Sequence, residues 1–355
     1  FRSRPDAGLP DSLDFVSART EFYEHPTALP TVERSSIKQD LHRRDFTINT
    51  LAVRLTPDRW GELLDFYGGR KDLDDGVIRV LHSLSFVEDP TRILRAARFE
   101  QRFAFQIEPR TAELISDALD LLDRISAERV RHELELILAE AEPERALCRL
   151  QGLGVLRKLH TGLNCDEWYS AKAAELRLVL AQVRNRGGAA PPPMAIAADA
   201  APRLHLALLT YRLPARTVAE VMDRLHMRRE YRERALEVAG LVPRLERLSR
   251  NDVSASQIAL ALDESSAEAR LVLRVASDDW LVRQRLDLYQ RRLRNIRTAI
   301  DGDDLMRLGI PQGRVYREIL EQVRVARLDN EVRTREEEEA LALRLYAAQL
   351  AAGTA

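Results

Sequence analysis

FVEDPTRILRAARF, Phe86 to Phe99, decides how the rest of the chain is read, because a helix start and a row of arginines coincide in it. Asp89 followed by Pro90 has the pattern of a helix N-terminus. The carboxylate accepts from a first-turn amide, and proline at the first helical position sacrifices only an N–H that has no partner there. Arg92, Arg95 and Arg98 then recur every three residues. Each step of three advances about 300°, so the guanidiniums spread over roughly 120° of one face. Like charges placed in this way repel unless something anionic lies between them. A triphosphate meets that need, and so do acidic side chains from a neighbouring segment; the spacing leaves both open. One guanidinium and one carboxylate at a helix start also offer donors and an acceptor to a base edge, which gives Asp89 and Arg92 a recognition reading beside the capping one.

Upstream and downstream of this stretch the chain changes character. Residues 1–80 mix short β-type runs (LDFVSA, INTLAVRL, GELLDFY, VIRVL) with turn signals such as Tyr67-Gly68-Gly69, the pattern of part of an α/β unit. From Asp89 onward, ILRAARFEQRF, TAELISDALDLL and AERVRHELELILAE carry apolar residues three and four apart, so the remainder reads as a helical array. GGAAPPPMAIAADAAPR, Gly187 to Arg203, interrupts it as a loop or inter-helix excursion, and helical patterning resumes at Leu204. No internal repeat of fixed period occurs.

Composition sets the outer limits. At 355 residues and 45% hydrophobic, the chain fills two or three globular units. Its 55 basic and 56 acidic residues balance, so contact with nucleic acid must come from a local patch rather than a global field. Lysine occurs only at Lys38, Lys71, Lys158 and Lys172; the arginine bias fits phosphate recognition or a GC-rich genome. Cys148 and Cys165 are too few for a disulfide framework and have no Cys/His cluster beside them, which suits a reducing cytosol. No unbroken apolar run is long enough to span a bilayer, and the first residues lack the apolar stretch of a signal peptide.

Further constellations bear on chemistry. Arg43-Arg44-Asp45-Phe46-Thr47-Ile48-Asn49 puts two guanidiniums beside a carboxylate and an amide at a loop-to-strand entry. That set suits phosphate and a ribose hydroxyl, or a surface salt-bridge cluster ahead of a strand. Gly68-Gly69 allows either close approach to phosphate or a turn with positive φ. Asp72 and Asp74 have the spacing of a metal-binding pair but sit in a turn-like run, so they are set aside, and Asp301-Gly302-Asp303-Asp304 reads as a cap for a helix starting near Leu305. Asp14, inside an otherwise apolar strand-like run over residues 13–18, is the one carboxylate placed as a metal-site residue would be; a solvent-facing strand-edge Asp is the alternative.

In this order, the motifs resemble the bacterial CCA-adding tRNA nucleotidyltransferase and poly(A) polymerase family, whose head belongs to the DNA polymerase beta-like superfamily. RRDFTINTLA is similar to its R-R-D-F-T-I-N-A-L-A nucleotide motif. LLDFYGGRKDLDDGVIRVL is similar to its D-x-x-G-G-x-x-D-L segment, and SFVEDPTRILRAARFEQRFAFQIEPRT to its E-D-P-x-R-x-L-R-A-A-R-F helix. AERVRHELELIL resembles the E-R-x-x-x-E-L helix, and DDLMRLGIPQGRVYREILEQVRVARLDNEVRTREEE the C-terminal segment. The resemblance implies a mainly α chain: a truncated α/β nucleotidyltransferase head over 1–82, then a helical neck over 83–150 that recognises the nucleotide, a helical body over 151–250 and a helical, tRNA-binding tail over 251–355. It implies that Arg44 contacts the incoming nucleotide, with Asp45 near its ribose. Asp89 and Arg92 would read the base of CTP or ATP, and Arg95 and Arg98 would hold the triphosphate.

The same resemblance places a G-G-x-V-R-D turn and a magnesium-binding D-x-D pair upstream of Asp14. This sequence contains neither and opens without Met, so the expected reading is a fragment, inactive alone, whose Mg2+ ligands precede Phe1. DFVSARTEFYEHPTALPTVERSSI also resembles a subset carrying extra N-terminal domains. Asp14 is a candidate for the superfamily's third carboxylate. The expected function is addition of CMP or AMP, from CTP and ATP, to the 3′ end of tRNA in the cytoplasm. A poly(A) polymerase and a non-catalytic tRNA-binding module are the alternatives.

Overall fold

In a computed structural model, residues 14–22, 31–185 and 196–351 are described. The chain divides into two compact units, one made of Phe1–Ser170 with Val221–Met227 and the other of Ala171–Glu220 with Arg228–Ala355.

The first unit holds what sheet structure the described residues have, in three two-stranded pieces. Arg19–Phe22 pairs antiparallel with Thr31–Arg34, Ala52–Val53 antiparallel with Leu63–Leu64, and Val77–Ile78 parallel with Gln106–Ile107. The long β-type runs pair over only two residues where they form strands. INTLAVRL forms a 3₁₀ turn over Thr47–Thr50 before its two strand residues, and pairing elsewhere amounts to a Phe46–Val80 bridge and an amide of Thr47 donating to Arg79 O at 3.0 Å. Asp14 does not lie in a strand: residues 14–18 are irregular, with Phe15 84% and Val16 82% exposed, because backbone pairing begins only at Arg19. The reading of a strand at Leu13 falls outside the described residues.

The helical expectations hold more closely. The arginine helix runs Thr91–Phe103, one residue later than the first proline suggests, yet Asp89 Oδ1 accepts from Thr91 N at 3.0 Å as an N-terminal cap does. Ile93, Leu94, Ala96 and Ala97 of this helix are fully buried, and its small residues let Ala127–Leu138 and Pro143–Gly152 pack closely on it. Cys148 and Cys165 form a disulfide with Cα atoms 4.9 Å apart. This corrects the reading of two unlinked thiols: the helix Pro143–Gly152 and the loop leading into Glu167–Asn185 meet in space although their cysteines are 17 residues apart.

The second unit is helical throughout its described residues. Arg229–Leu248 packs against Ala201–Leu209 and Ala267–Ala276, and Arg314–Leu328 against Ala255–Leu262 and Arg335–Ala351. Of the expected excursion over 187–203, residues 187–195 lie outside the described set, and helix has resumed by Ala201. Asp301 caps the helix Gly302–Arg307 in a reciprocal box with Asp304, so the cap is as expected while the helix begins three residues before Leu305. No helix among the described residues is long and apolar enough to cross a membrane.

His205 gives this unit an acid sensitivity. It is 2% exposed, and burial, with Arg177 nearby, pushes its pKa down to about 4. An unfolded histidine titrates near ~6.5, so below that pH the unfolded chain binds a proton that the folded chain refuses. Stability is therefore lost as pH falls from ~6.5 towards 4, by roughly 3 kcal/mol in all. Urea midpoints measured across this window should fall steeply for the parent and more shallowly for His205→Leu; parallel curves would remove His205 as the cause.

Candidate functional site

A cleft of about 560 Å³ in the first unit is lined by Arg43, Arg44, Asp45, Asn49, Asp89, Arg95 and Phe99. Its two walls come from the turn after the short helix Ile37–His42 and from the start of the arginine helix. The turn is anchored from behind. Asp40, 5% exposed, accepts from Arg43 Nη2 at 2.9 Å and lies 3.7 Å from Arg44 Nη2. Burial raises the pKa of Asp40, but hydrogen bonds from Arg43 and the Arg19 amide, with the charges of both arginines, hold it below the usual carboxylate range.

Asp45 joins the walls. It is 8% exposed; its Oδ1 accepts from Phe46 N at 2.9 Å and Asn49 Nδ2 at 2.8 Å, and its Oδ2 from Arg95 Nε at 2.8 Å and Nη2 at 2.6 Å. Arg95 also reaches Glu133 Oε1 at 3.2 Å. Burial works against its charge, and the two carboxylates outweigh burial, leaving its pKa above the ordinary value. Its guanidinium sits 5.4 Å from the Phe99 ring centre, so the cleft carries a cation beside an aromatic face.

The arginine row does not point one way. Arg98, 6% exposed, turns to Glu133 Oε2 at 3.4 Å and Glu140 Oε1 at 3.5 Å, with its guanidinium 4.8 Å from the centre of the Phe99 ring. Arg102 meets Glu140 at 3.0 Å. Arg92, 5% exposed, donates to Ser85 Oγ at 2.8 Å and to Arg43 O at 2.8 Å. Of the two anions that the spacing allowed, the structure therefore supplies acidic side chains, Asp45 and Glu133 to Arg95, Glu133 and Glu140 to Arg98, and Glu88, 3.6 Å away, to Arg92, while Arg95 alone of the three borders the cleft. Arg44, Asp45 and Asp89 border it too; Arg92 and Arg98 lie behind the lining, and Asp14 is not part of it.

Asp89 is held at one oxygen. Oδ1 accepts from Thr91 N at 3.0 Å and Thr91 Oγ1 at 2.6 Å, and Arg129 Nη2 lies 2.7 Å from it as an ion pair. Arg129, Glu133 and Glu140 were not singled out as site residues by sequence, although the spacing of four that puts Arg129 and Glu133 on one face of Ala127–Leu138 was an available signal; Glu140 lies just past the end of that helix.

Gly68 and Gly69 serve two different needs. Gly68 has φ +72°, the left-handed turn expected of it, whereas Gly69 is pressed against the 3₁₀ turn, where a Cβ would lie 2.2 Å from Thr47 O. The next helix, Gly69–Asp75, points Asp72 back at Thr47 Oγ1, 2.6 Å away, and at Arg79 Nε, 3.1 Å away. Asp72 is thus a buried strut, and the turn-like run expected around it is instead the helix Gly69–Asp75. Among the described residues no group of three or more Asp, Glu, His or Cys side chains is arranged to hold a metal ion.

Comparison with known proteins bears on the family. The family described as Poly A polymerase head domain matches residues 7–79, and that described as Probable RNA and SrmB- binding site of polymerase A matches residues 104–165. An A-adding tRNA nucleotidyltransferase of Geobacter sulfurreducens is 41% identical over 350 residues, covering 95% of this chain but 39% of that relative's length. One from Halalkalibacterium halodurans is 47% identical over 41% of this chain and 35% of its own length. The chain thus spans well under half of these curated relatives. Among solved structures, an apo CCA-adding enzyme superposes with a TM-score of 0.75 at 34% identity, over 93% of this chain and 76% of that one. A Thermotoga maritima CCA-adding enzyme complexed with tRNA superposes with a TM-score of 0.69 at 31% identity, over 92% of this chain and 81% of that one. With this much shared over most of a solved relative, the chain belongs to the CCA-adding tRNA nucleotidyltransferase and poly(A) polymerase family.

Proposed function

We propose that this chain selects the nucleotide and holds the RNA for a template-independent nucleotidyltransferase that adds CMP, AMP or both to the 3′ end of tRNA. The observation that carries the reading is the cleft itself. Arg44, Asp45, Asn49, Asp89 and Arg95 converge on it from two walls, giving phosphate donors, ribose partners and a base-reading carboxylate within one space of nucleotide size. In the reaction, the RNA 3′-hydroxyl oxygen bonds to the α-phosphorus of the nucleotide, the bond from that phosphorus to the bridging oxygen breaks, pyrophosphate leaves, and the hydroxyl proton passes to solvent. Magnesium neutralises developing phosphate charge in this reaction class. Since the described residues offer it no three-ligand group, the roles assigned here are binding and selection.

Arg44 and Arg95 take the phosphates, Asp45 and Asn49 the ribose side, and Asp89 with Arg92 the base. Arg92 must exchange its bond to the Arg43 carbonyl for the base edge, and Arg98 supports Arg95 by fixing Glu133. The finer division into head over 1–82, neck over 83–150, body over 151–250 and tail over 251–355 belongs to the same proposal, with the helical remainder gripping tRNA by shape and backbone. The A-adding relative matched over 95% of the chain makes AMP transfer the stronger expected arm.

Labelled CTP and ATP, supplied with tRNA lacking its 3′ end, test the proposal in the whole protein. Incorporation of one or two nucleotides supports it; long A tracts would move the reading to a poly(A) polymerase, and no incorporation with retained tRNA binding to a binding module. Asp89→Ala and Arg92→Ala are each expected to flatten base preference by about tenfold or more while triphosphate affinity changes little, since each removes about one base-edge hydrogen-bonding partner. Unchanged base preference in both variants would refute the base-reading role.

A further inference from the structure

We propose that Arg129 is a specificity-determining positioning residue, acting through Asp89, and that it makes the site prefer cytosine and adenine, whose amino group stands where uracil and guanine carry a carbonyl. The inference rests on the nucleotide reading above and goes beyond it to a residue on another helix. Two hydrogen-bond donors and one cation meet at Asp89 Oδ1: the Thr91 amide at 3.0 Å, the Thr91 hydroxyl at 2.6 Å and, as an ion pair, Arg129 Nη2 at 2.7 Å. The two from Thr91 are local and come with the capped helix start. Arg129 arrives from Ala127–Leu138, forty positions along, and is the one charged partner. With two hydrogen bonds and a cation against Oδ1, that oxygen is occupied and Oδ2 is left to accept from a ligand.

The selection follows from which base edges can donate to a lone, oriented acceptor. Cytosine and adenine carry an amino group at the position where uracil and guanine carry a carbonyl oxygen. A carboxylate pinned at one oxygen cannot rotate to soften the repulsion against a carbonyl, and it offers no proton of its own. Release of Oδ1 lets the group pivot about its Cβ–Cγ bond, so the wrong edge is tolerated and the right one less well aligned. Arg129 and Asp89 are 29% and 23% exposed, which keeps the pair within reach of the cleft rather than sealed in the core. The Arg129 charge also pulls electron density from the acceptor, so its effect on selection is geometric more than one of raw strength.

The test is equilibrium binding of CTP, ATP, UTP and GTP to the full chain, alone and carrying Arg129→Ala, Arg129→Lys, Asp89→Ala or both alanine changes. The expected result is an amino-over-oxo preference in the parent that falls by about tenfold in Arg129→Ala, the equivalent of one well-placed hydrogen bond, and is partly recovered in Arg129→Lys. In the Asp89→Ala background, adding Arg129→Ala should change the preference no further, because the route runs through that carboxylate. Uniform weakening of all four nucleotides by Arg129→Ala, with the preference intact, assigns Arg129 a purely structural role and overturns the inference. A parent that binds all four equally, or none, instead overturns the underlying nucleotide reading, so the two failures are told apart in one experiment. Thermal melting of each variant identifies any that has simply unfolded.

Discussion

Asp45→Ala is expected to lower the stability of the first unit by about 3 kcal/mol and to weaken nucleotide binding at least about a hundredfold. The residue closes the circuit between the two walls of the cleft: one oxygen serves the Phe46 amide and Asn49, the other takes two donors from Arg95. Removing it leaves a guanidinium with only Glu133 to answer its charge and a backbone amide with no acceptor, in a place 8% exposed. The estimate sits at the low end for breaking a buried pair because the Arg95 side chain keeps 30% exposure and gains water. Asp45→Asn separates charge from shape, since its amide turns a donor towards Arg95 and should cost nearly as much. Urea unfolding and nucleotide titration read the two effects, and a variant with parental stability would show that Arg95 needs no partner.

Gly69→Ala is the second large effect, expected at about 3 kcal/mol or more, because the added methyl meets backbone rather than a side chain able to turn away. The new Cβ would lie 2.2 Å from Thr47 O and 2.9 Å from Thr47 C. Relief requires moving the turn Thr47–Thr50, and with it the hydroxyl of Thr47 from Asp72 and the Asp45 wall of the cleft. Gly68→Ala is the control: its φ of +72° taxes an alanine by about 1 kcal/mol, but nothing lies within 4 Å of the methyl. If both glycines proved equally tolerant, the close approach would not be what constrains this turn.

Local chemistry was readable and distant partnership was not. Asp89 and Asp301 announced helix starts, and both carry capping hydrogen bonds in the structure. The helix Thr91–Phe103 was legible from its spacing. The direction of its arginines was not, because it is decided by Glu133 and Glu140, 35 and 42 residues from Arg98. β-type runs were overestimated for a related reason: apolar alternation licenses a strand, but only a partner strand of matching length makes one, and here pairing stops after two residues in most runs. The disulfide joins segments whose approach depends on helix packing, which cysteine spacing alone does not encode. Roles for Arg44, Asp45 and Asp89 came from resemblance, and all three side chains line one cleft.

The acids facing the arginine helix are tenants that cannot move out. A nucleotide reaching Arg95 sends no chloride into the bath; it changes places with a carboxylate tethered to the same polypeptide. The entropy gained when mobile ions escape is then missing, so occupancy of this row should vary little with ionic strength, whereas a polyanion gripped by open guanidiniums elsewhere loosens steeply as salt rises. One protein would thus show two salt responses, and a brine that strips it of RNA would leave its appetite for mononucleotides nearly intact.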